Sequence, residues 1–135
     1  MTPVRQYRMF DPRRLKDSFF YAGRGIVKVA REEQNFRIEL LAAVAVIVGM
    51  RLLRVGVAGQ AVLMLAIALV LVLELMNSIF ERMVDIMKPR IHHYVEDIKD
   101  IMAGSVLVAA AGAAVVGALV FWEPVMVFIT SRGSV

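Results

Sequence analysis

Three apolar blocks constrain this chain more than any other feature: residues 40–50, extendable through 57 if two arginines are tolerated, then residues 55–73, then residues 101–122. Each approaches the roughly 20 residues that a helix needs to cross a hydrocarbon layer. The second and third are uncharged throughout. The first is flanked by Glu39, Arg51 and Arg54, and long basic side chains at a helix end reach back to the interface. With 59% of the 135 residues hydrophobic, the length is used up by these blocks and their connections, leaving no room for a separate soluble catalytic domain. Any chemistry must be built from the helices and the segments joining them.

The pattern therefore predicts an all-α membrane protein, one domain over residues 1–135. It comprises an amphipathic surface helix at about residues 12–35 and spans at about 36–55, 58–76 and 101–122. Phe19, Phe20, Ile26, Val27 and Ala30 among many basic residues suit a helix lying on a membrane surface, with a break expected at Gly23 and Gly25. Residues 1–17 are polar and lack the apolar core of a signal peptide, and residues 130–135 read as a disordered tail. Lysine and arginine number nine before residue 38, two in the first loop, four between residues 76 and 102, and one after residue 122. This asymmetry predicts a multi-pass protein with its N-terminus in the cytoplasm and the 76–102 connection on the same side. The formal charge of +4 favours anionic lipid headgroups or a phosphorylated substrate over nucleic acid. Without cysteine, thiolate chemistry is excluded.

The end of the second block places Glu74, Asn77, Glu81 and Asp85 at offsets of 0, 3, 7 and 11, within an arc of about 80° on a helix. Glu74 directly follows about nineteen uncharged residues, and an ionisable group that deep is costly unless it has a partner or a task. Three carboxylates on one face repel unless a cation lies between them, and Mg²⁺ prefers such oxygens. Glu33 is a second acidic candidate, either joining Glu81 around a metal or forming an ordinary ion pair with Arg37 one turn on. Lys99 and Asp100 offer a cation for phosphate and a carboxylate, or else interfacial anchors. The adjacent His92 and His93 diverge by about 100° and make a poor metal pair. Soluble nucleotide-binding and hydrolase signatures are absent.

Taken together, Glu74-x-x-Asn77-Ser78-x-x-Glu81-x-x-x-Asp85, Lys99-Asp100 followed by Ala103-Gly104-Ser105 at a helix start, and Glu33-Gln34-Asn35-Phe36-Arg37-Ile38 resemble the bacterial diacylglycerol kinase and undecaprenol kinase family of small membrane lipid kinases. The resemblance covers about residues 15–120. It implies a homotrimer with active sites shared between subunits at the cytoplasmic face of the inner membrane, and transfer of phosphate from ATP to a lipid hydroxyl. It also implies Glu74 as general base, Asn77 positioning groups around it, Glu33 and Glu81 holding Mg²⁺, and Lys99 and Asp100 completing the nucleotide side. The NFRI stretch and Pro89-x-x-His92 resemble the undecaprenol branch and Glu39 the diacylglycerol branch; the expectation is undecaprenol, with diacylglycerol as the alternative. Ile79 and Phe80 depart from the smaller pair usual in the family. A noncatalytic membrane assembly or transport subunit, with Glu74 serving packing or proton movement, is the competing class.

Overall fold

The computed structural model describes residues 11–87 and 92–132. Among them the chain is all-helical: α1 Pro12–Glu32, α2 Gln34–Leu52, α3 Val57–Met87 and α4 His92–Arg132. Asp11 caps α1, its Oδ1 accepting from the Arg13 N–H at 3.0 Å, with Pro12 at the first position where its missing N–H costs nothing. The break expected at Gly23 and Gly25 does not occur. Helical backbone runs through both, and α1 ends instead at Glu33, whose extended backbone is the single residue between α1 and α2. Likewise Ala103-Gly104-Ser105 lies well inside α4, which begins about three turns earlier, and Thr130–Arg132 are helical rather than disordered. Pro89, the side chains of His92 and His93, and residues 1–10 and 133–135 lie outside the described residues.

Two helices, Val57–Ile86 and Glu96–Ser131, are long and apolar enough to cross a membrane. In α2, 19 residues include Arg37, Glu39 and Arg51, and it falls short of that test. Large apolar side chains such as Leu65, Leu107, Val108, Leu119 and Trp122 are exposed on α3 and α4. In water a surface of this kind would drive association, whereas in lipid it is the ordinary outer face of a spanning helix.

Packing follows a seven-residue rhythm. On α2 the buried residues are Phe36, Ala43 and Met50, and on α3 Leu63, Val70, Asn77 and Val84 keep the same spacing, with Glu74 and Ser78 buried beside them, so each helix turns one stripe to its neighbours. α3 packs along α4 and against α2, and α1 touches both α2 and α3. At one end Met50, Val55 and Leu63 form a buried apolar cluster covered by Val116, Val120 and Phe121 of α4. The other end is polar.

The α2–α3 turn is a Schellman motif: the Val55 N–H donates to the Met50 carbonyl at 3.1 Å and the Arg54 N–H to the Arg51 carbonyl at 3.4 Å. Arg54 sits at the left-handed position with φ 52°, where a Cβ costs about 1–2 kcal/mol. Arg54→Gly is therefore expected to stabilise the protein by about 1 kcal/mol, read as a raised unfolding midpoint in detergent, while Arg54→Ala, which keeps the Cβ, gives no such gain.

Candidate active site

The polar end is built on the last turns of α3. Glu74, Asn77 and Ser78 are its buried polar residues, at 2%, 7% and 1% exposure. They project from an otherwise apolar helix at i, i+3 and i+4, onto one face. Asn77 Nδ2 donates to Glu81 Oε1 at 3.2 Å, tying the amide to the next carboxylate along that face. Glu74 Oε2 is buried and has no hydrogen-bond partner among the described residues, an arrangement that costs free energy unless something else meets it. The charges of Glu81 and Glu33 both act on Glu74, and Glu74 in turn acts on Glu39. Glu33, Glu39, Glu74 and Glu81 thus belong to one end of the helices, contributed by α2, α3 and the α1–α2 junction.

Glu33 does not pair with Arg37. Instead Arg82 Nη2 of α3 reaches Glu32 Oε2 at 2.9 Å and Glu33 Oε1 at 3.5 Å, while Arg37 Nη1 donates to the Arg31 carbonyl at 2.9 Å. This clasp fastens the α1–α2 corner to α3. Further along, Lys99 Nζ donates to Asp85 Oδ1 at 2.9 Å, joining the end of α3 to the start of α4. Asp100, next along α4, is exposed and forms no hydrogen bond or ion pair among the described residues. The structure therefore gathers Glu33, Glu74, Asn77 and Glu81, brings Lys99 to the same face through Asp85, and leaves Asp100 apart.

Glu39 and Ser78 carry more of this site than sequence reasoning gave them. Glu39 Oε2 is also buried without a partner among the described residues. Its side chain borders an apolar cavity of about 370 Å³ between α2, α3 and α4, walled by Ala43, Val70, Ala110, Ala114 and Gly117. Small residues on α4 make that space, because they hold the helices together without filling the gap. The signal for Glu39 was its place six residues after Glu33, at the edge of an apolar block; the signal for Ser78 was adjacency to Asn77 on a buried stripe.

No group of three or more Asp, Glu or His side chains among the described residues is close enough to enclose a metal ion. The donors nevertheless suit a hard divalent cation of the kind that binds through one or two carboxylates and takes its remaining ligands from phosphate and water. Glu33 and Glu81 are such carboxylates, and the unpartnered Glu74 oxygen leaves the cluster short of positive charge.

Residues 20–121 match the family described as prokaryotic diacylglycerol kinase. The chain is 38% identical over 110 residues to a diacylglycerol kinase of Synechocystis, covering 81% of this chain and 63% of that protein. It is 36% identical over 104 residues to an undecaprenol kinase of Bacillus subtilis, covering 77% of this chain and 85% of that protein. The match thus spans less than two thirds of the cyanobacterial relative. The matched region holds α2, α3 and all of the residues gathered above, and the chain belongs to the prokaryotic diacylglycerol kinase family.

Proposed function

We propose that the chain is a MgATP-dependent lipid kinase that phosphorylates the hydroxyl of a membrane lipid, undecaprenol in preference to diacylglycerol. It works as a homotrimer at the cytoplasmic face of the inner membrane, with α2 as a third span and active sites shared between subunits. The observation that carries the activity is Glu74: a carboxyl oxygen buried on an apolar helix without a partner, beside Asn77, among further carboxylates and close to an apolar cavity. A group in that setting meets an acceptor that arrives through the membrane and carries its own hydroxyl.

In the reaction the lipid oxygen attacks the γ-phosphorus of ATP, the bond from that phosphorus to the β-phosphate oxygen breaks, and ADP leaves. Glu74 takes the hydroxyl proton. Asn77, anchored to Glu81, fixes the spacing between the base and the next carboxylate. Glu33 and Glu81 would hold Mg²⁺, which when bound supplies neutralisation of the phosphate charge. Lys99 adds a fixed cation on the phosphate side, and Asp100, exposed on α4, reaches nucleotide or a neighbouring subunit. Most of the rate comes from holding these groups and the two substrates in register. The cavity beside Glu39 receives the first part of the lipid chain, its small-residue wall leaving room for a tail.

Undecaprenol is favoured by the NFRI element on α2 and by the match to most of the length of the Bacillus relative. The test is phosphate transfer from labelled ATP to matched undecaprenol and diacylglycerol micelles. The expected result is a kcat/KM several-fold higher for undecaprenol; the reverse order assigns the chain to diacylglycerol.

A further inference from the structure

Arg82 stands out among the charged groups near the site because it faces two carboxylates from a different helix. It lies one residue after Glu81, it is part-exposed, and it bridges Glu32 and Glu33 at 2.9 and 3.5 Å. A guanidinium offers a rigid fork of donors suited to two carboxylates at once, which a lysine ammonium does not. Glu33 also feels, and adds to, the negative charge around Glu74 and Glu81. Without a cation nearby, three carboxylates at this helix junction repel one another. Arg37, one turn after Glu33 in sequence, is turned away onto a backbone carbonyl.

We infer that Arg82 is the resident counter-charge of the carboxylate cluster, a positioning residue that holds Glu33 in place and competes with the divalent cation for it. The inference rests on the reading of Glu33 and Glu81 as metal-holding groups. Arg82 stands 3.5 Å from Glu33 Oε1, so a cation that takes that oxygen displaces the guanidinium, and one that takes the other oxygen is repelled by it; either way the site fills more readily when Arg82 loosens its hold. Glu32 makes this exchange easy, because it is the nearer of the two partners and keeps Arg82 engaged when Glu33 is released. The clasp thus links the α1–α2 corner to cation occupancy, and a half-exposed ion pair is weak enough to be exchanged.

The test is Mg²⁺ titration of the full chain in detergent, without lipid or ATP, followed by calorimetry and by the rise in unfolding midpoint. Arg82→Gln is expected to lower the Mg²⁺ concentration at half-saturation by about two- to fivefold, the ratio that corresponds to an exposed ion pair. Its midpoint in chelator falls below that of the wild type, and Mg²⁺ restores it. Arg82→Lys lies between the two. Arg37→Gln, which removes an equal charge from a residue that holds no carboxylate, leaves the half-saturation unchanged. Equal effects of Arg82→Gln and Arg37→Gln, an unchanged value in Arg82→Gln, or weaker Mg²⁺ binding in it would each overturn the inference. If the folded wild type binds no Mg²⁺ at all, Glu33 and Glu81 do not hold the cation without phosphate, and the inference, which needs a cation to compete with Arg82 there, falls for that separate reason.

Discussion

Glu74→Gln is expected to reduce lipid phosphorylation by about 10²–10⁴-fold, the range associated with loss of a general base, while the protein stays folded. The substitution keeps the shape of the side chain and removes its ability to take a proton. Glu74 is 2% exposed and one of its oxygens has no partner among the described residues, so the neutral amide relieves a buried charge and breaks no hydrogen bond that this oxygen makes. The unfolding midpoint in detergent should be unchanged or higher. Loss of activity together with an intact or raised midpoint separates chemistry from folding. Residual activity close to wild type would remove Glu74 from the role of base.

Gly59→Leu is expected to destabilise the protein by about 1–3 kcal/mol through overpacking. Near the start of α3, a Cβ at residue 59 would lie 2.8 Å from Val55 Cγ1 and 2.9 Å from Val120 Cγ1 of α4, closer than carbon atoms approach without a shift. The valines are β-branched and stiff, so the adjustment falls on the α3–α4 spacing. Gly59→Ala costs less, because helix propensity returns up to about 1 kcal/mol. Residue 59 is about 22 Å along α3 from Glu74 at 1.5 Å per residue. Activity per folded molecule should therefore hold, with the loss read in the unfolding midpoint. An unchanged midpoint in Gly59→Leu would mean that α3 and α4 do not approach as closely as the structure has them.

The helices were legible where the sequence carries a long-range pattern. The uncharged blocks at residues 55–73 and 101–122 marked the two helices long and apolar enough to span, and the acidic face at offsets of 0, 3, 7 and 11 from Glu74 marked the polar end of α3. Helix ends were less legible, because they depend on local choices that composition blurs. Gly23 and Gly25 were read as breaking α1, yet a glycine in a helix costs only about 1 kcal/mol and the flanking residues are sufficient to carry the helix through. The start of α4 was placed about ten residues too late because charged residues such as Glu96 and Lys99 hide a helix from a hydropathy reading, though they extend one into the interface.

For the site, spacing along one helix brought Glu74, Asn77 and Glu81 together on paper, since a helical repeat fixes which residues share a face. Partners on other helices had no such ruler. The i,i+4 rule offered Glu33 to Arg37, whereas tertiary packing delivered Arg82 from α3, fifty residues away from Glu32. Glu39 was visible as a charge flanking an apolar block and as a likeness to the diacylglycerol branch; that it borders a cavity depends on Ala110, Ala114 and Gly117, whose small size matters only once α4 is packed against α2 and α3.

The central claim is that the chain moves phosphate from ATP to a lipid alcohol, and the direct measurement is transfer of label from γ-labelled ATP by the purified wild type in mixed micelles, with Mg²⁺ and with chelator. The account predicts labelled lipid phosphate that appears only with Mg²⁺ and only when a lipid alcohol is present. A folded protein that labels neither undecaprenol nor diacylglycerol with Mg²⁺ present would contradict it, and would return Glu74 to a role in packing or proton movement.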